Sequence, residues 1–381
     1  MTKILFLDQS GKPGGAELCL VDIAKPYRDS CLVGLFADGA FKQLLEKQHI
    51  PVQVLATKAI EVRKESSLAK GLGSLGQLLP LINRVAALSR NYDLIYANTQ
   101  KALVVGAIAS FLSRRPLVYH LHDILSLDHF SATNRRIAVT LANRAALVIA
   151  NSQASQAAFI AAGGQKDIVE FVYNGFDLEL YQHLPAATAI RQQLGIDEGK
   201  FLVGHFSRLS PWKGQHILIE ALTSCPENVT ALLVGDALFG EQDYVQQLHA
   251  QVAELNLEHR VKFLGFRDDV KSLMAACDLV THTSTVAEPF GRVIVEAMLC
   301  GTPVVATQAG GARELVEAGK TGWLVAPGDA TELAAAINAC KEQPEQSANM
   351  AREAKLQALV RFDVTTINQQ IAQLLSKLVK T

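Results

Sequence analysis

In the segment FLVGHFSRLSPWKGQHILIEAL a strand gives way to a turn carrying Arg208 and Lys213, and then to a helix. Two cations at the C-terminal end of a strand suit a diphosphate, the arginine as a fork and the lysine as a point charge. In an open parallel sheet that edge is also where ligands bind. A second constellation, HTSTVAEPFGRVIVEAMLCGTPVVAT, closes a strand, turns, and enters a helix expected from about Gly291 to Cys300, with Gly301 to stop it. Glu288 precedes the turn and Glu296 lies five residues into the helix, roughly 7.5 Å further along at 1.5 Å per residue. An anion held by the amides of Phe290, Gly291, Arg292 and Val293 would sit between these two carboxylates. Each carboxylate could then accept hydrogen bonds from hydroxyls, so a phosphate with a sugar on one side and ribose on the other is the natural ligand. With Arg208 and Lys213 present, no metal is required. The plainer alternatives are a helix-start charge for Glu288 and a surface residue for Glu296.

Near the start, strand KILFLD runs into QSGKPGGAELCLVDIA, a glycine-bearing loop that leads into a helix and can expose amides to a phosphate. A tight turn explains it equally well, and the dinucleotide fingerprint G-x-G-x-x-G is absent. In LVYHLHDILSLDH, His122 ends a strand at the ligand edge, and His120 shares its face but reads as a packed histidine. The H-x-H-x-D-H pattern of dinuclear hydrolases fails here. EAGKTGWLV contains GKT, yet the P-loop glycine position holds Glu314, so no Walker motif is present. YNGFD reads as a turn at a domain boundary.

These residues need elements to hold them, and the chain supplies a regular alternation. KILFLD, CLVGLF, VQVL, DLIYA, LVYHLH, ALVIA and VEFVY precede Asp177, and FLVGHF, TALLVG, VKFLGF, LVTH, PVVAT and WLV follow it. Amphipathic stretches separate them, which predicts parallel sheets with crossover helices, α/β in class. The restart after a polar, proline-containing stretch predicts two domains, 1–177 and 178–362, followed by a helix within 363–381.

The composition is that of an ordinary globular chain, with 49% hydrophobic and 19% charged residues. A net charge of -1 excludes the broad positive field of a nucleic-acid binder. The halves differ: 19 basic and 14 acidic residues precede the cut at Asp177, and 17 basic and 23 acidic follow it. Much of the first half's excess lies between Ala56 and Arg90, either a solvated helix face or a patch for an anionic acceptor or lipid headgroup. Six scattered cysteines without a C-x-x-C pair read as reduced residues of a cytosolic protein. The opening apolar run is too short for a signal peptide, and no run spans a bilayer, so membrane contact is expected to be peripheral at most.

SRLSPWKG and EPFGRVIVE, with GGAE, LHD and YNGFD, together resemble family 4 of the retaining glycosyltransferases of GT-B fold, over essentially the whole chain. The resemblance implies two Rossmann-like parallel-sheet domains facing across a cleft, the acceptor on the first and the nucleotide-sugar on the second. It implies that Arg208 and Lys213 bind the diphosphate, Glu296 the ribose and Glu288 the hydroxyls of the donor sugar. Gly15 would bring its amide to the diphosphate, Phe266 would lie near the base, and His122 would stand beside the reacting sugar. Ser207 departs from the glycine that often precedes the arginine, and the C-terminal helix fits a crossing back to the first domain.

The implied activity is retaining transfer of a hexose from a nucleotide-sugar, with a UDP-sugar favoured and UDP-glucose the first guess. The acceptor would be a hydroxyl of a glycan or glycolipid in polysaccharide biosynthesis, the leaving diphosphate would take the acceptor's proton, and no cofactor or metal would be needed. A sugar-nucleotide epimerase, a glycan phosphorylase and a catalytically silent sugar-binding subunit are the alternatives. No lysine suited to pyridoxal phosphate is identifiable, which weighs against the phosphorylase. The expected location is cytoplasmic, with peripheral contact at the inner face of the membrane allowed.

Overall fold

A computed structural model describes residues 2–56, 68–237 and 240–379. The chain divides into two compact units, one of residues 1–176 and 364–381, the other of 177–363. In the first, β1 (Ile4–Asp8), β2 (Cys31–Leu35), β3 (Val52–Val54), β4 (Leu94–Ala97), β5 (Leu117–Leu121), β6 (Leu147–Ala150) and β7 (Val169–Phe171) form one parallel sheet, ordered β3-β2-β1-β4-β5-β6-β7. In the second, β8 (Phe201–Phe206), β9 (Val229–Val234), β10 (Val261–Gly265), β11 (Leu279–His282), β12 (Val304–Thr307) and β13 (Trp323–Val325) are ordered β10-β9-β8-β11-β12-β13, again parallel.

Both sheets are covered on both faces, which is why their strands are nearly unbroken apolar runs. Along β1, Leu5 and Leu7 enter one core while Ile4 and Phe6 enter the core on the opposite face. Each sheet also reverses direction once. The chain leaves β1 toward β2 and β3 and returns on the other side at β4, and it leaves β8 toward β9 and β10 and returns at β11. The crevices at β1/β4 and β8/β11 are the switch points where ligands of such sheets bind.

The last helix, Val364–Val379, belongs to the first unit. Its Ile367, Ile371 and Leu375, one every four residues, enter the core that Ile4 and Phe6 share, and Asn368 donates to the Asp22 carbonyl at 2.9 Å. The YNGFD segment is more than the turn expected from its composition. Asn174 and Phe176 are buried, the Phe176 carbonyl accepts from the Val364 amide, and a side chain on Gly175 would come within 2.9 Å of the Val364 backbone. Glycine is needed there for close approach of two chain segments.

Candidate active site

Polar residues gather at both switch points. In the second unit the turn after β8 is pinned from below: buried His205 lies 2.9 Å from the Thr283 hydroxyl, which donates to the carbonyls of Lys213 and Gly214 at 2.9 Å each. Burial pushes the His205 imidazole down to about 3, so it serves as a neutral strut. Gly214 has φ +71°, and a Cβ there would lie 2.0 Å from the Thr283 carbonyl oxygen, so no other residue fits this corner. Ser207 keeps its hydroxyl within the loop, donating to the Arg208 carbonyl and accepting from Gln215 Nε2 at 2.8 Å.

The result is a compact charge cluster. Lys213 Nζ donates to Glu288 Oε2 at 2.6 Å, and the same oxygen lies 3.0 Å from Ser284 Oγ and 3.3 Å from His282 Nε2. The Lys213 and Glu288 side chains are only 16% and 12% exposed. Burial alone would raise the Glu288 carboxyl, but the charge of Lys213, with His282, outweighs it and holds the group well below the usual carboxylate range. Lys213 and Arg208 also share the ring of Trp212, at 4.0 and 5.6 Å from its centroid. The backbone of Glu288 is fixed by Gly310 and Gly311, whose segment bridges to it and whose Gly311 amide donates to the Glu288 carbonyl at 2.7 Å.

The helix after this segment spans Arg292–Cys300, one residue later than expected, because Gly291 is a left-handed N-cap with φ 100°. Phe290 turns its ring into the core, edge-on to Phe362, and Val293 packs against the core beside β8, so only the backbone of either can meet an anion. Arg292 Nε stands 3.6 Å from Glu296 Oε1. Phe266 follows β10 at the sheet margin and is 77% exposed. Two strand spacings separate β10 from β8, roughly 10 Å, comparable to the reach from a diphosphate to a base. Lys213 and Glu288, expected as ligands for phosphate and for sugar, are also partners of each other, since charges with so little exposure are stabilised by an opposite neighbour.

In the first unit Gly15 opens the helix Gly15–Ala24 behind Gly14. Asp8 ends β1, Asn98 follows β4 and His122 follows β5, three strands side by side in the sheet. Asn98 Nδ2 donates to Asp8 Oδ2 at 2.7 Å and to the Ala16 carbonyl at 3.1 Å, while Asn98 Oδ1 lies 2.9 Å from His122 Nε2. Burial raises Asp8 to about 6 against the opposing hydrogen bonds, and burial together with the charge of Asp8 raises Glu17 to about 7. His120 is buried beside Tyr96 Oη at 2.9 Å, and burial pushes it well below the usual imidazole range. Cys19, His120 and His122 bring ligand atoms within 4.8 Å of one another. The two imidazoles stack with centroids 4.0 Å apart and planes at 35°, so their in-plane lone pairs run side by side more than they converge on one ion.

Residues 186–357 match the family model for glycosyl transferases group 1, and residues 13–180 match that for Glycosyltransferase Family 4. The crystal structure of Anabaena Alr3699/HepE in complex with UDP and glucose is 66% identical, with TM-score 0.91, covering 99% of this chain and 100% of that one. The chain is a family 4 glycosyltransferase. Its fold is accordingly GT-B, with two Rossmann-like units. HepE has also been solved in complex with UDP-glucose, at 65% identity and TM-score 0.92. Among curated relatives, N-acetyl-alpha-D-glucosaminyl L-malate synthase of Bacillus anthracis is 36% identical over 200 residues, 52% of this chain and 50% of that enzyme. The match thus spans about half the length of that relative. D-inositol 3-phosphate glycosyltransferase of Gordonia bronchialis is 27% identical over 333 residues, 82% of this chain and 68% of that enzyme.

Sequence reasoning about this glycosyltransferase missed Trp212, His282, Ser284 and Asn98. Trp212 stood inside the quoted SPWKG, and its place between two cations was the available signal. His282 and Ser284 close a strand with polar residues just before Glu288, a pattern that an apolar strand has no reason to show. Among the described residues no helix is long and apolar enough to cross a membrane.

Proposed function

We propose that this glycosyltransferase moves glucose from UDP-glucose to a hydroxyl of a glycan or glycolipid, with retention at the anomeric carbon. The observation that carries the reading is the HepE complex with UDP-glucose at 65% identity over 99% of this chain. The charge cluster at the β8/β11 edge supports it chemically. Arg208, Lys213 and the helix-terminal amides at Gly291 and Arg292 take up charge that develops on the departing diphosphate. They fill the role a divalent ion would otherwise serve. Glu288, ionised and gripped at one oxygen by three donors, is better suited to hold sugar hydroxyls than to attack carbon. The acceptor's proton therefore passes to the leaving phosphate on the same face of the sugar. Glu296 binds ribose and Phe266 lies beside the base. In the first unit, Gly15 and His122 serve the diphosphate and the sugar.

Incubation of the purified protein with UDP-glucose, UDP-galactose, GDP-mannose and ADP-glucose, with release of the nucleoside diphosphate as readout, tests the donor. Turnover confined to UDP-glucose is the expected result, and none with any UDP-sugar overturns it. The anomeric proton coupling of the product separates retention from inversion.

The enzyme works in the cytoplasm and touches membranes only peripherally. Of the basic stretch Ala56 to Arg90, Lys58, Arg63 and Lys64 lie outside the described residues. On the helix Gln100–Ser113, however, Ile108, Phe111 and Leu112 are exposed, Phe111 at 84%, just before Arg114 and Arg115. Apolar tips beside cations suit an anionic lipid surface. Co-sedimentation with phosphatidylglycerol vesicles should fall with salt and with Phe111→Ser, and no binding removes the membrane from the proposal.

A further inference from the structure

His122 directly follows β5 at the ligand edge of the first sheet, and its ring is oriented by Asn98, a residue outside the SRLSPWKG, EPFGRVIVE, GGAE, LHD and YNGFD motifs. Asn98 has its Nδ2 facing two oxygens, Asp8 Oδ2 at 2.7 Å and the Ala16 carbonyl at 3.1 Å. The carbonyl can only accept, so the amide group is unambiguous whatever the protonation of Asp8. Asn98 Oδ1 is then the atom 2.9 Å from His122 Nε2. An amide oxygen carries no hydrogen, so Nε2 must donate. In the neutral imidazole this leaves Nδ1 as the basic nitrogen.

We infer that Asn98, anchored by Asp8, is a positioning residue that holds His122 in the Nε2–H tautomer, so that Nδ1 accepts a hydrogen bond from a hydroxyl of the transferred sugar. The assignment of the sugar as partner rests on the donor reading above; the tautomer rests on geometry alone. The chain of three is rigid for reasons visible in the fold. Asp8 is fully buried and also accepts from the Ser10 amide at 2.7 Å, and Asn98 is 1% exposed, with its own amide bonded to the Leu7 carbonyl at 3.0 Å. The side chains leave the ends of β1, β4 and β5, neighbours in the sheet, so the relay follows strand order across the switch point. Reversing the imidazole tautomer would set the two facing groups acceptor to acceptor and leave Asn98 Oδ1 buried without a donor.

Two measurements test this. Long-range proton–nitrogen correlation on the 15N-histidine-labelled full chain, with the His122 signal identified by its loss in His122→Gln, should show Nε2 protonated and Nδ1 bare near neutral pH. A bare Nε2 overturns the relay, and needs no variant that might misfold. Asn98→Leu, similar in size but unable to accept, should lose the tautomer preference and reduce kcat by about 10- to 100-fold, with KM for UDP-glucose within about threefold and thermal unfolding still cooperative. His122→Asn, which keeps an acceptor near the Nδ1 position, should retain more turnover than His122→Gln, which keeps only the Nε2-like donor. Folded Asn98→Leu with near-native kcat, or the reverse order of the two histidine variants, overturns the positioning role. Absence of turnover by the unaltered chain on every UDP-sugar would remove the donor reading and with it the sugar partner, while the nitrogen spectrum would still decide the tautomer.

Discussion

Replacing Lys213 by methionine should damage both stability and turnover, and a second substitution should repair only the first. Opposite unit charges 2.6 Å apart attract by about 6 kcal/mol at an effective dielectric of 20, before the cost of removing them from water is subtracted. Removing one partner of a buried pair typically costs about 3–5 kcal/mol, because the other charge is stranded. Ser284 and His282 remain to bond Glu288 Oε2, and both members keep slight exposure, so the expected loss is about 2–3 kcal/mol. For a unit of this size that lowers the unfolding midpoint by roughly 5–10 °C. Lys213→Met/Glu288→Gln removes both charges and keeps a neutral acceptor, and should return to within about 1 kcal/mol of the unaltered chain. Turnover should fall by about 30- to 1000-fold in Lys213→Met, the loss of one donor to a developing oxyanion, and should not recover in the double variant. The assays are denaturant titration without nucleotide, since a ligand would mask the loss, and nucleoside diphosphate release under saturating donor. Because Glu288 is held below its unfolded value of 4.5, the pair's contribution is complete above that pH and fades as pH falls toward the folded value. A double variant no more stable than Lys213→Met, or near-native turnover in Lys213→Met, would refute the pairing and the catalytic role respectively.

The two glutamates should fail differently. Glu296→Gln should weaken UDP and the UDP-sugar alike and mainly raise KM, whereas Glu288→Gln should mainly lower kcat and leave calorimetric UDP binding nearly unchanged; the opposite pattern reverses the donor along the helix. Chelation by EDTA should leave turnover unchanged, and a loss restored by manganese would contradict charge compensation by Arg208 and Lys213. Glu17 is raised from 4.5 to about 7 by burial and then by the charge of Asp8, so the folded state binds its proton more tightly than the unfolded one. Stability should therefore fall as pH rises from about 4.5 through 7, and Glu17→Gln should flatten that fall; an unchanged slope in melting temperature against pH would count against the coupled acids.

Much of this molecule was legible in its residues. Each of the thirteen apolar runs read as strands is a strand, because a parallel sheet buried on both faces needs an unbroken apolar sequence. The Glu288 to Glu296 spacing set one acid on each side of a helix start by helical rise alone, and the Gly291 and Gly301 positions marked that helix's ends to within a residue. Local rules suffice where the partners are neighbours in the chain. They do not reach contacts between the ends of strands that become neighbours only through sheet order. Lys213 and Glu288 are 75 positions apart, and Asp8 and Asn98 are 90 apart. Neither polar residue of such a pair carries a mark of the other, since its type is explained as well by exposure as by a buried partner. The tertiary fold decides between these by withdrawing water: once β1, β4 and β5 lie side by side, Asp8 and Asn98 must satisfy each other, and once β8 and β11 do, Lys213 must neutralise Glu288.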